Sequence, residues 1–140
     1  RTAREAGVEK PLVLAVTVLT SLNDRDLADL GIPQTTQSLA AHLAAGAHRA
    51  GVGGVVASPQ DILSIRKACG PGFAIVTPGI RLGGGEVEKD DQKRIDTPRE
   101  AIRNGADYIV VGRPIRLAKD PVEAADRIVA EIALGLADRM

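Results

Sequence analysis

The stretch TPREAIRNGADYIVVGRP, from Thr97 to Pro114, contains one complete structural unit. Thr97 offers a side-chain oxygen to the orphan amides of a helix start. Pro98 brings a fixed φ to the first helical position, and Glu100 places an acid at the third. Gly105 then stops the helix that runs through Ala101–Asn104. The apolar, β-branched run Tyr108–Val111 follows and ends on Gly112-Arg113-Pro114, as a buried strand feeding a functional loop does. A capped helix that leads into a short buried strand is the repeat of an alternating helix–strand chain.

The same design recurs in both directions. Ser58-Pro59-Gln60-Asp61 and Asp120-Pro121-Val122-Glu123 are two further helix starts, and Gly70 stops Ile62–Cys69. Three more apolar runs, Leu12–Val18, Val52–Ala57 and Phe73–Thr77, read as strands. Helical pieces are expected around Asp24–Leu30 and Ser38–Ala50. The last helix spaces Val122, Ala125, Val129, Ile132 and Leu136 along one apolar face, which is expected to pack on the sheet. Arg81–Asp96 has no periodicity, contains Gly83, Gly84 and Gly85, and reads as a mobile loop. Arg1–Glu9 reads as the tail of a helix whose own strand is not in the sequence. Repeated strand–helix units give a parallel sheet, either open and doubly wound or closed into a barrel.

Composition narrows the function classes. Tyr108 and Phe73 are the only aromatic residues, so the core must be built from Val, Ile, Leu and Ala, as in parallel strands covered by helices. Eighteen basic residues balance eighteen acidic ones without a polybasic run, which argues against nucleic acid or an anionic membrane as partner. Pro11–Leu19 is too short an apolar run to span a bilayer. Cys69 is the single cysteine; it excludes an intrachain disulfide, fits a reducing cytoplasm and, beside Gly70 at a helix end, reads as an inert thiol. His42 and His48 fall on different faces of one helix, so neither a metal site nor an acid–base role is expected of them.

Two motifs carry chemistry: Thr77-Pro78-Gly79-Ile80-Arg81 after the third run and Val111-Gly112-Arg113-Pro114 after the fourth. In an eight-stranded barrel the loops after strands seven and eight commonly bind phosphate through backbone amides and the start of a short helix. Gly112 lets its amide approach an anion, Arg113 supplies a planar charged fork that matches phosphate oxygens, and Pro114 starts a helical turn through Ile115–Ala118. A Gly-Arg turn alone is often only a solvated turn. Its occurrence in order with a Pro-Gly-Ile-Arg loop and a glycine-rich loop bearing Gln92 points to a phosphate pocket.

Five segments, Val16-Thr17-Val18-Leu19-Thr20-Ser21, Gly54-Val55-Val56-Ala57-Ser58, Val76-Thr77-Pro78-Gly79-Ile80-Arg81, Asp91-Gln92-Lys93-Arg94 and Val110-Val111-Gly112-Arg113-Pro114-Ile115, together resemble the orotidine 5'-phosphate decarboxylase family. The resemblance implies an α/β fold: the C-terminal half, about strands 5–8, of a TIM (β/α)8 barrel with outer helices. Residues 1–140 would then form a single partial domain that lacks strands 1–4. It implies Thr20 at the pyrimidine end of the nucleotide, Gln92 reaching to phosphate and base, Gly112 and Arg113 as the phosphate grip, and Arg81 ending the strand-seven loop. No cofactor is implied; the substrate would be orotidine 5'-phosphate and the assembly a homodimer with sites at the interface.

The family's chemistry rests on an Asp-x-Lys-x-x-Asp array after the third barrel strand, where negative charge disfavours the substrate carboxylate and lysine protonates the carbanion. The string occurs here once, as Asp91-Gln92-Lys93-Arg94-Ile95-Asp96. It follows a polar glycine-rich loop and leads into the Thr97 cap, whereas the array needs a rigid strand end. Asp91, Lys93 and Asp96 therefore read as a decoy in a solvated charged loop, no catalytic residue is assigned, and these residues alone are expected to be inactive. Other readings are a related sugar-phosphate decarboxylase or aldolase barrel, or a non-catalytic half barrel that assembles with another chain, since half a barrel leaves open strand edges and bare apolar surface.

Overall fold

The structure is a computed structural model that describes residues 2–83 and 93–139. Four short strands form one sheet: β1 (Leu14–Val16), β2 (Gly54–Val56), β3 (Ala74–Thr77) and β4 (Tyr108–Ile109). All pair in parallel in the order β1-β2-β3-β4, with Ala15 opposite Val55, Val55 opposite Ile75 and Thr77 opposite Ile109. Each lies inside an expected apolar run, and the ladder extends slightly beyond the strands through Thr17 N–H to Val56 O and Val110 N–H to Thr77 O. The sequential order decides between the two sheet types left open by the sequence. A doubly wound sheet reverses its strand order at a switch point. Here every crossover steps the same way, as in a barrel wall, where right-handed crossovers stack the helices on one face.

The helices are α1 (Thr2–Glu5), α2 (Asp24–Asp29), α3 (Thr36–Arg49), α4 (Ile62–Cys69) after a 3-10 turn at Pro59–Asp61, α5 (Pro98–Asn104), α6 (Arg113–Arg116) and α7 (Pro121–Ala137). The three proline-marked starts behave as expected: Ser58, Thr97 and Asp120 accept from the amides of Gln60, Glu100, and both Val122 and Glu123. Gly105 takes φ 118° at the end of α5, a conformation that favours glycine. Helix α3 starts earlier than expected because Thr35, unmarked by proline, accepts from Ser38 N–H.

The main core lies between the helices and the sheet, where Val55, Ala57 and Ile75 meet Ile62, Ile65, Phe73, Ala101 and Ile102. A smaller cluster of Val18, Leu27 and Ala40 sits under α2 and α3. The other sheet face is bare: Val16, Tyr108 and Val110 are 61%, 59% and 52% exposed. One expectation is corrected in part at α7, where Ala125 and Ile132 are partly buried and Ile132 packs on the core as expected but the rest of the face turns outward. The buried residues of the helix are Ala124, Ile128 and Gly135, whereas Val122, Val129 and Leu136 are exposed. The cause is steric, because α7 packs chiefly on α5 and approaches so closely that a Cβ at Gly135 would sit 2.5 Å from Arg99 O. Gly135 allows the close approach, Ala124, Ile128 and Ile132 face inward, and Val122, Val129 and Leu136 line the far side.

An arginine fastens the N-terminal end of the sheet. Arg66 donates to the carbonyls of Gly105 and Gly70 and pairs with Asp107, whose carboxylate also accepts from Ile75 N–H at 2.8 Å.

Candidate functional site

Because the strands are parallel, the segments after β1, β3 and β4 leave the same end of the sheet. That end carries Thr20, Arg81, Gly112 and Arg113, four of the five expected binding residues. Gln92 lies outside the described residues, as does Asp91.

Thr20 is buried, and its carbonyl accepts two amides, Lys93 N–H at 3.1 Å and Arg94 N–H at 3.2 Å. With Val16, Val18, Leu19, Val56, Ala57 and Pro78 it lines a shallow cavity of about 50 Å³. The lining is apolar apart from the threonine, a chemistry suited to the flat face and one polar edge of a small ring.

Arg81 is held through its backbone. Its N–H donates to Asp96 O at 2.9 Å, Asp96 N–H donates back to Gly79 O at 3.2 Å, and Nη1 of Arg81 donates to Ile80 O at 2.8 Å. Gly79 has φ 79°, which only glycine takes without strain, and a Cβ there would come within 3.1 Å of Arg94 O. This glycine shapes the loop for internal reasons.

Gly112 differs. It precedes α6, accepts from Ile115 and Arg116 N–H through its carbonyl, and has φ −110° and ψ −86°. A Cβ there would meet nothing within 4 Å among the described residues. No atom among the described residues crowds the position, so the backbone of Gly112 is open to an approach from outside, with the half-buried Arg113 next to it.

The charged stretch before Thr97 departs from the solvated loop expected of it. Lys93 is exposed and pairs with Asp26 at 2.7 Å, but Asp96 joins a parallel bridge with Ile80 and Arg94 is buried, with 4% exposure. The Arg94 guanidinium donates to Asp61 Oδ2 at 2.6 Å and to the carbonyls of Leu22, Val18 and Leu19 at 3.0, 3.0 and 3.1 Å. Asp61, which the sequence marks only as an acid in a helix start, is fully buried. Burial pushes its carboxyl above the ordinary value, and the hydrogen bond and charge of Arg94 pull it back. Neither residue stood out in the sequence, since no pattern shows that an acid thirty-three positions away will reach the arginine.

Both histidines are exposed on α3, with the His48 ring 5.0 Å from that of Phe73. Burial pushes the Cys69 thiol up, which keeps it protonated and unreactive. Among the described residues no group of three or more His, Cys, Asp or Glu could hold a metal ion, and no helix is long and apolar enough to cross a membrane.

Comparison with known proteins adds family evidence to this geometry. A family model described as orotidine 5'-phosphate decarboxylase / HUMPS family matches residues 1–128. A curated protein of Syntrophus aciditrophicus named orotidine 5'-phosphate decarboxylase is 60% identical over 129 residues, 92% of this chain and 51% of that protein. One of the same name from Geotalea daltonii is 54% identical over 129 residues, 92% of this chain and 53% of that protein. Among solved structures, orotidine 5'-phosphate decarboxylase from Lactobacillus acidophilus superposes with a TM-score of 0.71 at 36% identity, covering 91% of this chain and 51% of that one. The enzyme of the same name from Pyrococcus horikoshii gives 0.57 at 28% identity, covering 94% and 54%. The chain spans about half the length of the curated relatives it matches.

Proposed function

The chain belongs to the orotidine 5'-phosphate decarboxylase / HUMPS family, and from that premise we propose that it supplies the phosphate- and pyrimidine-binding half of an orotidine 5'-phosphate decarboxylase. The observation that carries this reading is the rim of the sheet, where one parallel end bears Thr20, Arg81 and the Gly112–Arg113 pair. Gly112 has a backbone that no described residue crowds, which suits close approach of a phosphate, and Arg113 adds the charged fork. The apolar cavity beside Thr20 suits the pyrimidine. Gln92 would bridge the two ends.

On this reading the complete protein is a carboxy-lyase of pyrimidine biosynthesis that works without metal or organic cofactor, in the cytoplasm and as a homodimer. The Asp-x-Lys-x-x-Asp array belongs to strands 1–4 of the barrel. The similar string here does other work: Lys93 is engaged by Asp26, and Asp96 frames the Arg81 loop.

The test is a competition on the protein at its natural length between uridine 5'-phosphate and a simple sugar phosphate such as ribose 5-phosphate. The nucleotide should bind tighter, and orotidine 5'-phosphate should be decarboxylated. Preference for the sugar phosphate would move the protein to the sugar-phosphate branch of its family. Carbon dioxide release by residues 1–140 alone would return Lys93 and Asp96 to the catalytic candidates.

A further inference from the structure

Two arginines fasten this sheet, one at each end, and only one of them touches the binding rim. Arg66 joins elements at the end where strands begin. Arg94 joins the segments that follow β1, β2 and β3 at the end where strands finish. In barrel enzymes the first end serves stability and the second carries the chemistry.

The contacts of Arg94 concentrate on Thr20. Its side chain takes the carbonyls of Val18, Leu19 and Leu22, and its own N–H takes that of Thr20 itself. Four carbonyls within five consecutive residues are thus directed at one residue, which fixes the path of the backbone that presents Thr20. Arg94 is fixed in turn by Asp61 on its guanidinium and by Ser58, whose hydroxyl donates to Arg94 O at 3.3 Å. As a stabilising device the pair is poor. A buried ion pair often gains little over apolar packing, and Asp61 Oδ1 is left buried with no hydrogen-bond partner among the described residues. Its value lies in geometry.

We propose that the buried Arg94–Asp61 pair is the positioning element of the pyrimidine end of the site, setting Thr20 against the base, while the phosphate end at Gly112–Arg113 is held independently. The inference rests on the reading of Thr20 given above. Arg94 and Asp61 are positioning residues that act through Thr20.

The experiment compares calorimetric binding of uridine 5'-phosphate and ribose 5-phosphate to the natural-length protein and its variants. Arg94→Lys keeps a charge beside Asp61 but cannot serve the three carbonyls. It should weaken uridine 5'-phosphate about tenfold and leave ribose 5-phosphate within about twofold of the parent. Asp61→Asn, which keeps the shape and removes the charge, should give the same split to a lesser degree, and it carries the test if Arg94→Lys does not fold. Arg66→Lys, at the opposite end of the sheet, should lower the melting temperature without any split. Equal weakening of both ligands, or no weakening of either, by folded Arg94→Lys and Asp61→Asn overturns the inference alone. A parent protein with no preference for uridine 5'-phosphate overturns the reading of the site, and the inference with it.

Discussion

At the residue scale, the proposed function divides the rim into groups that would touch ligand and groups that would hold them, and it puts Arg113 in the first. Arg113→Ala in the natural-length protein should weaken uridine 5'-phosphate by about 2–3 kcal/mol, the scale of a lost charge-assisted contact, and should weaken ribose 5-phosphate equally because both carry the phosphate. Calorimetry on the two ligands checks this, and an unchanged affinity would remove Arg113 from the site. The shared position of Thr20, Arg81, Gly112 and Arg113 at one end of the sheet was legible because each follows an apolar run within a few residues. Arg94 and Asp61 were not. A buried pair is chosen by three-dimensional proximity, and charge in a polar stretch looks the same whether it faces water or a buried carboxylate.

At the element scale, starts and stops were legible and faces were not. A cap acts over three residues and proline fixes its own φ, so the origins of α5 and α7 follow from short strings. Which side of α7 is buried depends on how near α5 comes, and Gly135 decides that. Gly135→Ala puts a methyl against backbone, which cannot yield as a side-chain tip can, and should cost about 1–3 kcal/mol in urea denaturation. An unchanged midpoint would show that α7 can shift outward freely. Acid should loosen the ties around the helix ends. Asp24 is held below the ordinary value of 3.8 chiefly by the Thr36 N–H, Asp26 chiefly by Lys93, and Asp138 chiefly by Arg99. Folded values below the unfolded one mean that the stability these carboxylates supply is complete above 3.8 and is lost as pH falls through the lowered values. The melting temperature should fall on that limb, and less so in Asp26→Asn, which has no carboxylate there to protonate. An equal fall in both would assign the acid limb elsewhere.

At the scale of the whole molecule, alternation of strand and helix was readable, whereas closure was not, because open and closed sheets share the same local repeat. Strand order together with the likeness to solved barrels of the family settled it. That order also leaves apolar surface in two places, the inward sheet face around Val16, Tyr108 and Val110 and the outer stripe of α7 at Val122, Val129 and Leu136. Residues 1–140 on their own should therefore self-associate as concentration rises and bind a hydrophobic dye, measured by sedimentation and fluorescence. A monodisperse 14.6 kDa species that binds no dye would contradict this.

The Arg94 clasp also has a consequence in time. Each strand pairs only with its neighbours in sequence, so the sheet can assemble unit by unit as the chain is made, with modest loop closures at each step. Arg94 lies 72 to 76 residues from the carbonyls it holds on Leu22, Leu19 and Val18, with β2 and β3 between them in sequence, so this contact closes a longer loop than any strand pairing does. On the proposed reading, the pyrimidine end would be completed after the wall that supports it. In refolding from urea, far-ultraviolet circular dichroism should recover before affinity for uridine 5'-phosphate does, so a newly made chain acquires its shape before its selectivity.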